Sequence, residues 1–354
     1  MKRFTLAATA FALSHWPVPA HAQSAQGVAD GTLLSAEPCP PNQTTDYEAY
    51  FERVKAGIEW DSEAAKRENL VRPAIDDDSL RAALPSPDEF AERVAYEGFE
   101  CLDIRYASDG LSIAGYLWKP VETEGRSLPL IIWNRGGNRD FGSNSPWSGG
   151  GRYDLLKAGY VVMASQYREG PGSEGTEQFG GDDVDDIRAL VPLAHSLGYV
   201  DTNNMFLFGG SRGGMMTYLV TRGENPFRAA AVLGGIADLD RSRVERPVFN
   251  RLWPQLIPDW EGDGTAALER RSAARWADEI TTPMILFHGS DDWRVNPQDA
   301  IDVANGMRKA GVPVELHLYY GDTHGVTLNY RDMTEHMLRF FERFKNDQEA
   351  KSDD

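Results

Sequence analysis

Short apolar runs alternate with amphipathic helical patterns from about residue 100 to the end of the chain. Runs of this length that are apolar throughout are typical of strands in a parallel sheet, because helices cover such a sheet on both faces. The alternation therefore predicts an α/β fold with a mostly parallel, eight-stranded sheet. The predicted strands are Cys101 to Ala107, Leu111 to Lys119, Leu128 to Trp133, Tyr160 to Ser165, Met205 to Phe208, Ala229 to Leu233, Met284 to His288 and Val314 to Tyr319, and the helical patterns lie at about 182–197, 213–223, 297–310 and 327–345.

The N-terminus has the three parts of a secretory signal peptide. Lys2 and Arg3 form a basic region, Phe4 to Leu13 form an apolar region, and Ala20-His21-Ala22 is a small-residue cleavage site. The apolar run is too short to span a bilayer, and no cysteine follows it closely, so we expect no membrane or lipid anchor. The pattern predicts cleavage near Ala22 and export to the periplasm or the medium.

The residues between the signal peptide and the first strand have a different pattern. Residues 23 to about 45 are rich in small residues, Pro and Asn and predict a poorly ordered lead-in. From Asp46 apolar residues recur at helical spacing, and residues 61–98 continue as mixed helix and Pro-containing loop. The predicted divisions of the chain are a signal peptide over 1–22, a helical N-terminal extension over 23–99, a main domain over 100–346 with a charged insertion at about 236–280, and a disordered tail over 347–354.

The net charge of −18 excludes nucleic acids and anionic membranes as expected partners, since both attract Lys- and Arg-rich surfaces. Two acidic clusters, at 76–78 and 182–186, each begin a helical pattern, where the helix dipole favours negative charge. A G-x-G-x-x-G at 170–175 opens no helix at its last glycine, so it does not predict a dinucleotide site. We expect neither a metal nor a cofactor, and the sequence does not determine the oligomeric state.

The chain has two cysteines, Cys39 and Cys101. In an oxidising compartment they could form a disulfide bond. The alternative is a free, buried Cys101 on its strand beside a loosely held Cys39. The sequence leaves both possibilities open.

A G-x-S-x-G motif, Gly209-Gly210-Ser211-Arg212-Gly213, joins an apolar strand to a helical pattern. In this context the motif predicts a nucleophile elbow, a strained turn that exposes the serine hydroxyl above the sheet. Glycines flank the serine because neighbouring backbones pass too closely for a side chain. The N–H of Arg212 would then point to the position where an oxyanion forms, which makes it a candidate for the oxyanion hole.

A serine nucleophile needs a base and an orienting acid, which follow the serine in the order Asp, His in this type of fold. One loop after a predicted strand contains His288, Asp291 and Asp292, and the loop after the last strand contains His324. Both loops lie at carboxyl ends of strands and therefore on the same edge as Ser211. We predict His324 as the base, because it lies in a polar, Gly-flanked loop, and we expect His288 to hold its own loop by hydrogen bonds.

These motifs resemble the catalytic domain of the prolyl oligopeptidase family of serine peptidases. The resemblance rests on Gly-Gly-Ser211-Arg-Gly-Gly, His288-Gly-x-x-Asp292-x-x-Val and the loop with His324, and it covers roughly residues 100 to 345. It implies an α/β-hydrolase fold and a triad of Ser211, Asp292 and His324. In the family, the catalytic acid lies four residues after a histidine and three before a valine. With His288 and Val295 in these positions, the resemblance implies that Asp292, and not Asp291, is the acid.

The sequence departs from the family's pattern in two places. Family peptidases usually carry a large N-terminal β-propeller that screens substrates by size, whereas only residues 23–99, which read as helical, precede the predicted main domain. Such peptidases often have a tyrosine as oxyanion donor after the third strand, where this chain has Arg135, followed by Gly136 and Gly137. Arg135 is therefore a second oxyanion-hole candidate; it could instead hold a substrate carboxylate or form a structural salt bridge.

Together these observations predict an exported serine hydrolase that cleaves an amide or ester bond through an acyl-enzyme, without cofactor or metal. The resemblance favours a peptidase acting on short peptides. A carboxylesterase acting on small acyl esters is the alternative, because the expected absence of a propeller removes the peptide-screening apparatus. A non-catalytic binding protein on a hydrolase scaffold is a further alternative. The presence of Arg135 in place of the family's tyrosine favours it, whereas the presence of all three triad residues argues against it.

Overall fold

The computed structural model describes residues 25–67, 75–147 and 151–346, and every strand within them joins one nine-stranded sheet. The predicted signal peptide at 1–22 and tail at 347–354 lie outside these residues. The strands are β1 (Leu33–Pro38), β2 (Phe99–Ser108), β3 (Leu111–Pro120), β4 (Leu128–Asn134), β5 (Val161–Ser165), β6 (Val200–Gly210), β7 (Ala229–Leu233), β8 (Met284–Gly289) and β9 (Val314–Tyr319).

Twelve α-helices are described among these residues, and none of them is long and apolar enough to cross a membrane. Short 3-10 helices occupy Asp182–Val184, Ala273–Arg275, Ala277–Glu279 and Thr327–Asn329. The α-helices are α1 (Tyr47–Arg67), α2 (Asp77–Ala83), α3 (Pro87–Ala95), α4 (Gly151–Lys157), α5 (Asp185–Arg188), α6 (Leu190–Ser196), α7 (Arg212–Val220), α8 (Leu239–Glu245), α9 (Phe249–Leu256), α10 (Thr265–Arg271), α11 (Gln298–Lys309) and α12 (Tyr330–Phe344).

The strand order β1-β2-β3-β5-β4-β6-β7-β8-β9 confirms the predicted α/β fold with a mostly parallel sheet. Strands β4 to β9 are mutually parallel, and β1, β2 and β3 extend the sheet in antiparallel pairing. In such sheets, functional groups collect at the carboxyl ends of the parallel strands. The loops after β4, β6, β8 and β9 therefore share one edge.

The eight predicted strands are all present, but the sequence did not predict the ninth strand, β1. Strand β1 lies where the sequence predicted a poorly ordered lead-in, and it pairs with β2 from Leu33 opposite Tyr106 to Pro38 opposite Leu102. Its residues are mostly exposed on both faces, so it shows no apolar pattern that would predict a strand. Backbone hydrogen bonds to β2 and a disulfide bond to β2 hold it in place.

The core lies on both faces of the sheet. Successive residues of β6 alternate between the faces, with Leu207 packing on one side and Phe206 on the other. Helices α7 and α11 cover the first face, for example through Met215, and α4 and α12 cover the second, for example through Phe341. Both faces of the central strand are thus buried, which explains its continuous apolar sequence.

The acidic clusters begin helices, as the sequence predicted. Asp76 caps α2 by accepting a hydrogen bond from the N–H of Ser79, at 2.8 Å. Asp183 and Asp186 lie in the first turns of a 3-10 helix and of α5, but both are fully buried and paired with arginines. Among the described residues, no group of three or more His, Cys, Asp or Glu side chains is placed to hold a metal ion.

Cys39 and Cys101 form a disulfide bond, which settles the question that the sequence left open. The bond joins the end of β1 to β2, and the Cys39 N–H also donates to the Cys101 carbonyl at 2.9 Å. The two cysteines are separated by 62 residues. On the chain-entropy model, closing a loop of this length stabilises the native state by about 4 kcal/mol.

We predict that replacing both cysteines with serine lowers the free energy of unfolding by about 4 kcal/mol, because the unfolded chain regains the entropy that the cross-link removes. Urea denaturation of the oxidised wild type and the double variant measures the difference. Reduction of the wild type should lower its stability to that of the variant and leave the variant unchanged. Equal stability of the oxidised wild type and the variant would contradict the prediction.

Candidate active site

Ser211 occupies the sharp turn between β6 and α7. Its backbone lies at φ 58° and ψ −124°, a region that non-glycine residues rarely adopt. The Ser211 N–H donates to the Leu233 carbonyl at 2.9 Å, and its carbonyl accepts from the N–H of Gly214 at the start of α7. The side chain is partly exposed at the carboxyl edge of the sheet. This is the geometry that the nucleophile-elbow prediction requires.

The two outer glycines of the motif are required by close backbone contacts. A Cβ added at Gly209 would lie 2.2 Å from the Gly213 carbonyl oxygen, and one at Gly213 would lie 2.0 Å from the Asn134 carbonyl oxygen. Real Cβ atoms do not approach so closely, so any side chain at either position would displace the turn. The end of β4 and the residue after it, Arg135, therefore pack directly against the serine turn.

The loops after β8 and β9 bring Asp292 and His324 into direct contact. The Nδ1 atom of His324 lies 2.8 Å from Oδ2 of Asp292, within hydrogen-bond distance. Asp291, the neighbouring acid, instead accepts a hydrogen bond from Ser290. The contact through Nδ1 leaves Nε2 of His324 as the nitrogen available for a proton transfer.

Asp292 is buried in a set of contacts that favours its charged form. Its Oδ1 accepts the N–H groups of Arg294 at 2.8 Å and Val295 at 3.1 Å, and its Oδ2 lies 3.0 Å from Nε2 of His288. Burial alone would raise the pKa of Asp292, but the charge of His324 and the hydrogen bonds of both histidines outweigh it and hold the pKa well below its usual range. His288 also contacts the Val295 carbonyl at 3.0 Å, in the loop that it was expected to hold.

The segment Leu233–Gly234 connects the serine turn to the His–Asp pair. Leu233 accepts the Ser211 N–H, and a Cβ added at Gly234 would lie 3.1 Å from His324 Nδ1 and 3.2 Å from Asp292 Oδ2. Gly234 has φ +53°, so its position requires both the backbone freedom and the small size of glycine. The segment thus contacts the serine turn through Leu233 and the His–Asp pair through Gly234.

The backbone and the side chain of Arg212 make different contacts. As the first residue of α7, it has an N–H without an acceptor inside the helix. Its guanidinium is 1 % exposed and bonds the Gly137 carbonyl at 3.0 Å, Glu177 at 3.0 Å and Asp183. Burial alone would lower the pKa of Arg212, but the two carboxylates outweigh it and raise the pKa. Its Nε has no hydrogen-bond partner among the described residues, and the amide is the predicted oxyanion donor.

Arg135 lies at the end of β4 with a side chain that is 2 % exposed. Its Nη2 donates to the Arg139 carbonyl at 2.5 Å, and its guanidinium lies 5.6 Å from the centre of the Tyr167 ring. The Nε and Nη1 atoms are buried without a hydrogen-bond partner among the described residues. Burial, together with the charge of Arg212, lowers the pKa of Arg135 to about 10. With the acids that the structure describes, Arg135 does not form the structural salt bridge that was one of its predicted alternatives.

The sequence did not identify the residues of α1 that reach this edge. Asp61 accepts hydrogen bonds from Nε1 of Trp293 at 3.1 Å and from Nε of Arg294 at 2.6 Å, both in the loop that contains Asp292. Trp60 precedes it and is 49 % exposed. The one available signal was that Trp60 lies outside the apolar stripe of the predicted helix, which is unusual for a large aromatic residue.

Comparison with known proteins assigns the family. The model of the prolyl oligopeptidase family matches residues 147–348, more than half of the chain. The chain belongs to this family. It is therefore a serine hydrolase of a peptidase family, and the matched range includes Ser211, Asp292 and His324.

Individual relatives differ in how much of their length the chain covers. The uncharacterised peptidase YtmA of Bacillus subtilis is 29 % identical over 62 % of this chain and 84 % of its own. The human acylamino-acid-releasing enzyme is 27 % identical over 70 % of this chain but only 36 % of its own. An acetyl xylan esterase from Paenibacillus shares the fold, with a TM-score of 0.56 and 19 % identity over 71 % of this chain and 86 % of that one. The chain spans about a third of the human enzyme, whose whole activity it need not share.

We predict that Arg135→Met keeps or raises the melting temperature and lowers kcat/KM about 100-fold. Replacing a buried, incompletely paired cation with an apolar side chain is often neutral or stabilising, and loss of an oxyanion donor, the candidate role of Arg135, lowers the rate by about this factor. Thermal melting and steady-state kinetics measure the two effects. Arg139→Met, which removes a half-exposed ion pair on the same loop, is the control and should change neither quantity appreciably. Unchanged activity would exclude Arg135 as an oxyanion donor, and a large loss of stability in Arg135→Met would assign it a structural role.

Proposed function

We propose that the protein is an exported serine peptidase that cleaves short peptides through a triad of Ser211, His324 and Asp292. The observation that carries the proposal is the hydrogen bond between His324 and the buried Asp292, at the same edge as the strained serine turn. The lowered pKa of Asp292 favours its charged form. A charged acid at this position stabilises the imidazolium that forms during catalysis. Family membership supports the same reaction class.

The chemistry follows in two steps. Nε2 of His324 takes the Ser211 hydroxyl proton as Oγ attacks the carbonyl carbon of the substrate, and the same nitrogen then gives the proton to the leaving amine as the C–N bond breaks. Water, deprotonated by His324, attacks the resulting acyl-serine ester, and the acid product leaves as Ser211 regains its proton. Asp292 stays ionised throughout and orients the imidazole through Nδ1.

The oxyanion of each tetrahedral intermediate needs at least two donors. We assign the first to the N–H of Arg212. The second comes from the loop after β4, where a Cβ added at Gly136 would lie 3.9 Å from Ser211 Oγ. The Gly136 N–H and the unpartnered guanidinium nitrogens of Arg135 are the two groups of this loop that support the assignment.

Peptide hydrolysis is favoured over ester hydrolysis by the names of the relatives, which include a peptidase and an acylamino-acid-releasing enzyme. The same triad would also cleave activated esters, since an ester is the easier acyl donor. A carboxylesterase would turn over acyl nitrophenyl esters and leave peptide nitroanilides intact. A binding protein would act on neither class.

The disulfide supports the proposal of export. Structural disulfide bonds persist in oxidising compartments such as the periplasm and the extracellular medium, and are rare where thiols are kept reduced. The Cys39–Cys101 bond therefore agrees with the signal peptide that the first 22 residues predict.

We predict that the wild type hydrolyses both peptide nitroanilides and acyl nitrophenyl esters, and that Ser211→Ala lowers kcat at least 1000-fold on both, because the variant has no nucleophile. Parallel substrate panels on the purified mature protein measure this. Ser35→Ala, an exposed serine on β1, is the matched control and should retain full activity. Ester turnover without amide turnover would replace peptidase with carboxylesterase, and wild-type activity in Ser211→Ala would refute the mechanism.

A further inference from the structure

A cavity of about 320 Å³ lies beside His324. One side of it belongs to the loop after β9, where Thr323, His324 and Gly325 line the cavity. The opposite side belongs to the N-terminal helix α1, which contributes Val54, Gly57, Ile58, Trp60 and Asp61. The base of the proposed triad thus faces a helix that lies outside the part of the chain matched by the family model.

Trp60 lies close to the loop after β4 and to the loop that contains Asp292. Its ring lies 6.1 Å from the ring of Phe141, on the loop after β4, and 5.2 Å from the guanidinium of Arg294. Both aromatic side chains remain about half exposed, at 49 % for Trp60 and 54 % for Phe141. Trp60, which lines the cavity beside His324, therefore offers apolar contact area to a substrate.

Contacts near both ends hold helix α1 in place, so that it forms one wall of the cavity. Asp61 bonds both Trp293 and Arg294, so α1 is attached to the loop that contains Asp292. At the other end, Phe51 is fully buried against Leu80 and Leu84 of the following segment. The position of the wall is therefore coupled to the acid of the triad.

The lining shows which part of a substrate the cavity would hold. It includes His324, but neither Ser211 nor Gly136 is among the described residues that line it. The base donates its proton to the leaving group, so the leaving group lies on the side of the histidine. We propose, on the basis of the proposed function, that α1 forms the leaving-group subsite and selects a small apolar leaving group, such as one amino acid with a branched aliphatic side chain.

The chemistry of the wall supports this class of leaving group. Val54, Ile58 and Trp60 supply apolar surface, and the carboxylate of Asp61 is engaged by Trp293 and Arg294. The volume is at the lower end of the range for small-molecule pockets and suits one amino-acid side chain.

Gly57 allows a direct test. A Cβ added there meets no atom within 4 Å, and the residue lies in the middle of α1, where glycine is a poor helix former. Gly57→Leu should therefore fold as well as the wild type while placing a side chain in the cavity. With one acyl group, we expect kcat/KM for release of leucinamide to fall at least tenfold and kcat/KM for release of methanol from the methyl ester to change less than threefold.

Two further variants separate the subsite from a general defect. Ala56→Leu places the same side chain at an exposed neighbouring position that does not line the cavity, and it should leave both values unchanged. Trp60→Ala should lower the preference for leucinamide over glycinamide as leaving group. The deacylation rate, common to all substrates with the same acyl group, should be equal in all variants, whereas a distorted triad would change it.

The outcomes distinguish this inference from the function on which it rests. Turnover that survives Ser211→Ala overturns the proposed function. Turnover that requires Ser211 but shows the same leaving-group preference in wild type and Gly57→Leu overturns only the subsite. A Gly57→Leu variant that slows methyl ester and leucinamide equally also overturns it, because α1 would then act on the triad as a whole.

Discussion

The structure of the site depends on the strained backbone of Ser211. A non-glycine residue at φ 58° costs of order 1–3 kcal/mol and persists only where its surroundings leave no alternative. Here Gly209 and Gly213 allow backbones to pass at distances that exclude any side chain, and the Leu233 carbonyl fixes the serine N–H. The strain therefore comes from the packing of three strand ends against one another, and it exposes the hydroxyl.

The buried side chain of Arg212 also holds the serine turn in place. Its guanidinium bonds the Gly137 carbonyl and two buried acids, and one of these acids, Glu177, also accepts the N–H of Arg139 at 2.6 Å. The buried ion cluster thus joins the first turn of α7 to the loop after β4. In the proposed mechanism, Arg212 therefore has two roles: its amide is one oxyanion donor, and its side chain holds the loop that contains the candidates for the other.

The sequence predicted the parts of this molecule that depend on local pattern. Eight strands were predictable because burial on both faces requires apolar residues, and the ends of those strands led to Ser211, Asp292 and His324. Strand β1 was not, because its stability comes from backbone pairing and a disulfide, which leave no periodicity in its exposed residues. The contact of α1 with the site was also unpredictable, since helical periodicity shows which face is buried and not which partner covers it. Nothing in the sequence distinguishes Glu177 from other acids.

The central claim is that Ser211 is an activated nucleophile. Labelling of the mature protein with a fluorophosphonate, followed by peptide mapping, tests it most directly, because such probes react with serines that have a working base and oxyanion hole. We predict one label per chain, on Ser211, and none in Ser211→Ala. A folded protein that takes up no label, or takes it up on another residue, would contradict the account and favour a binding protein on a hydrolase scaffold.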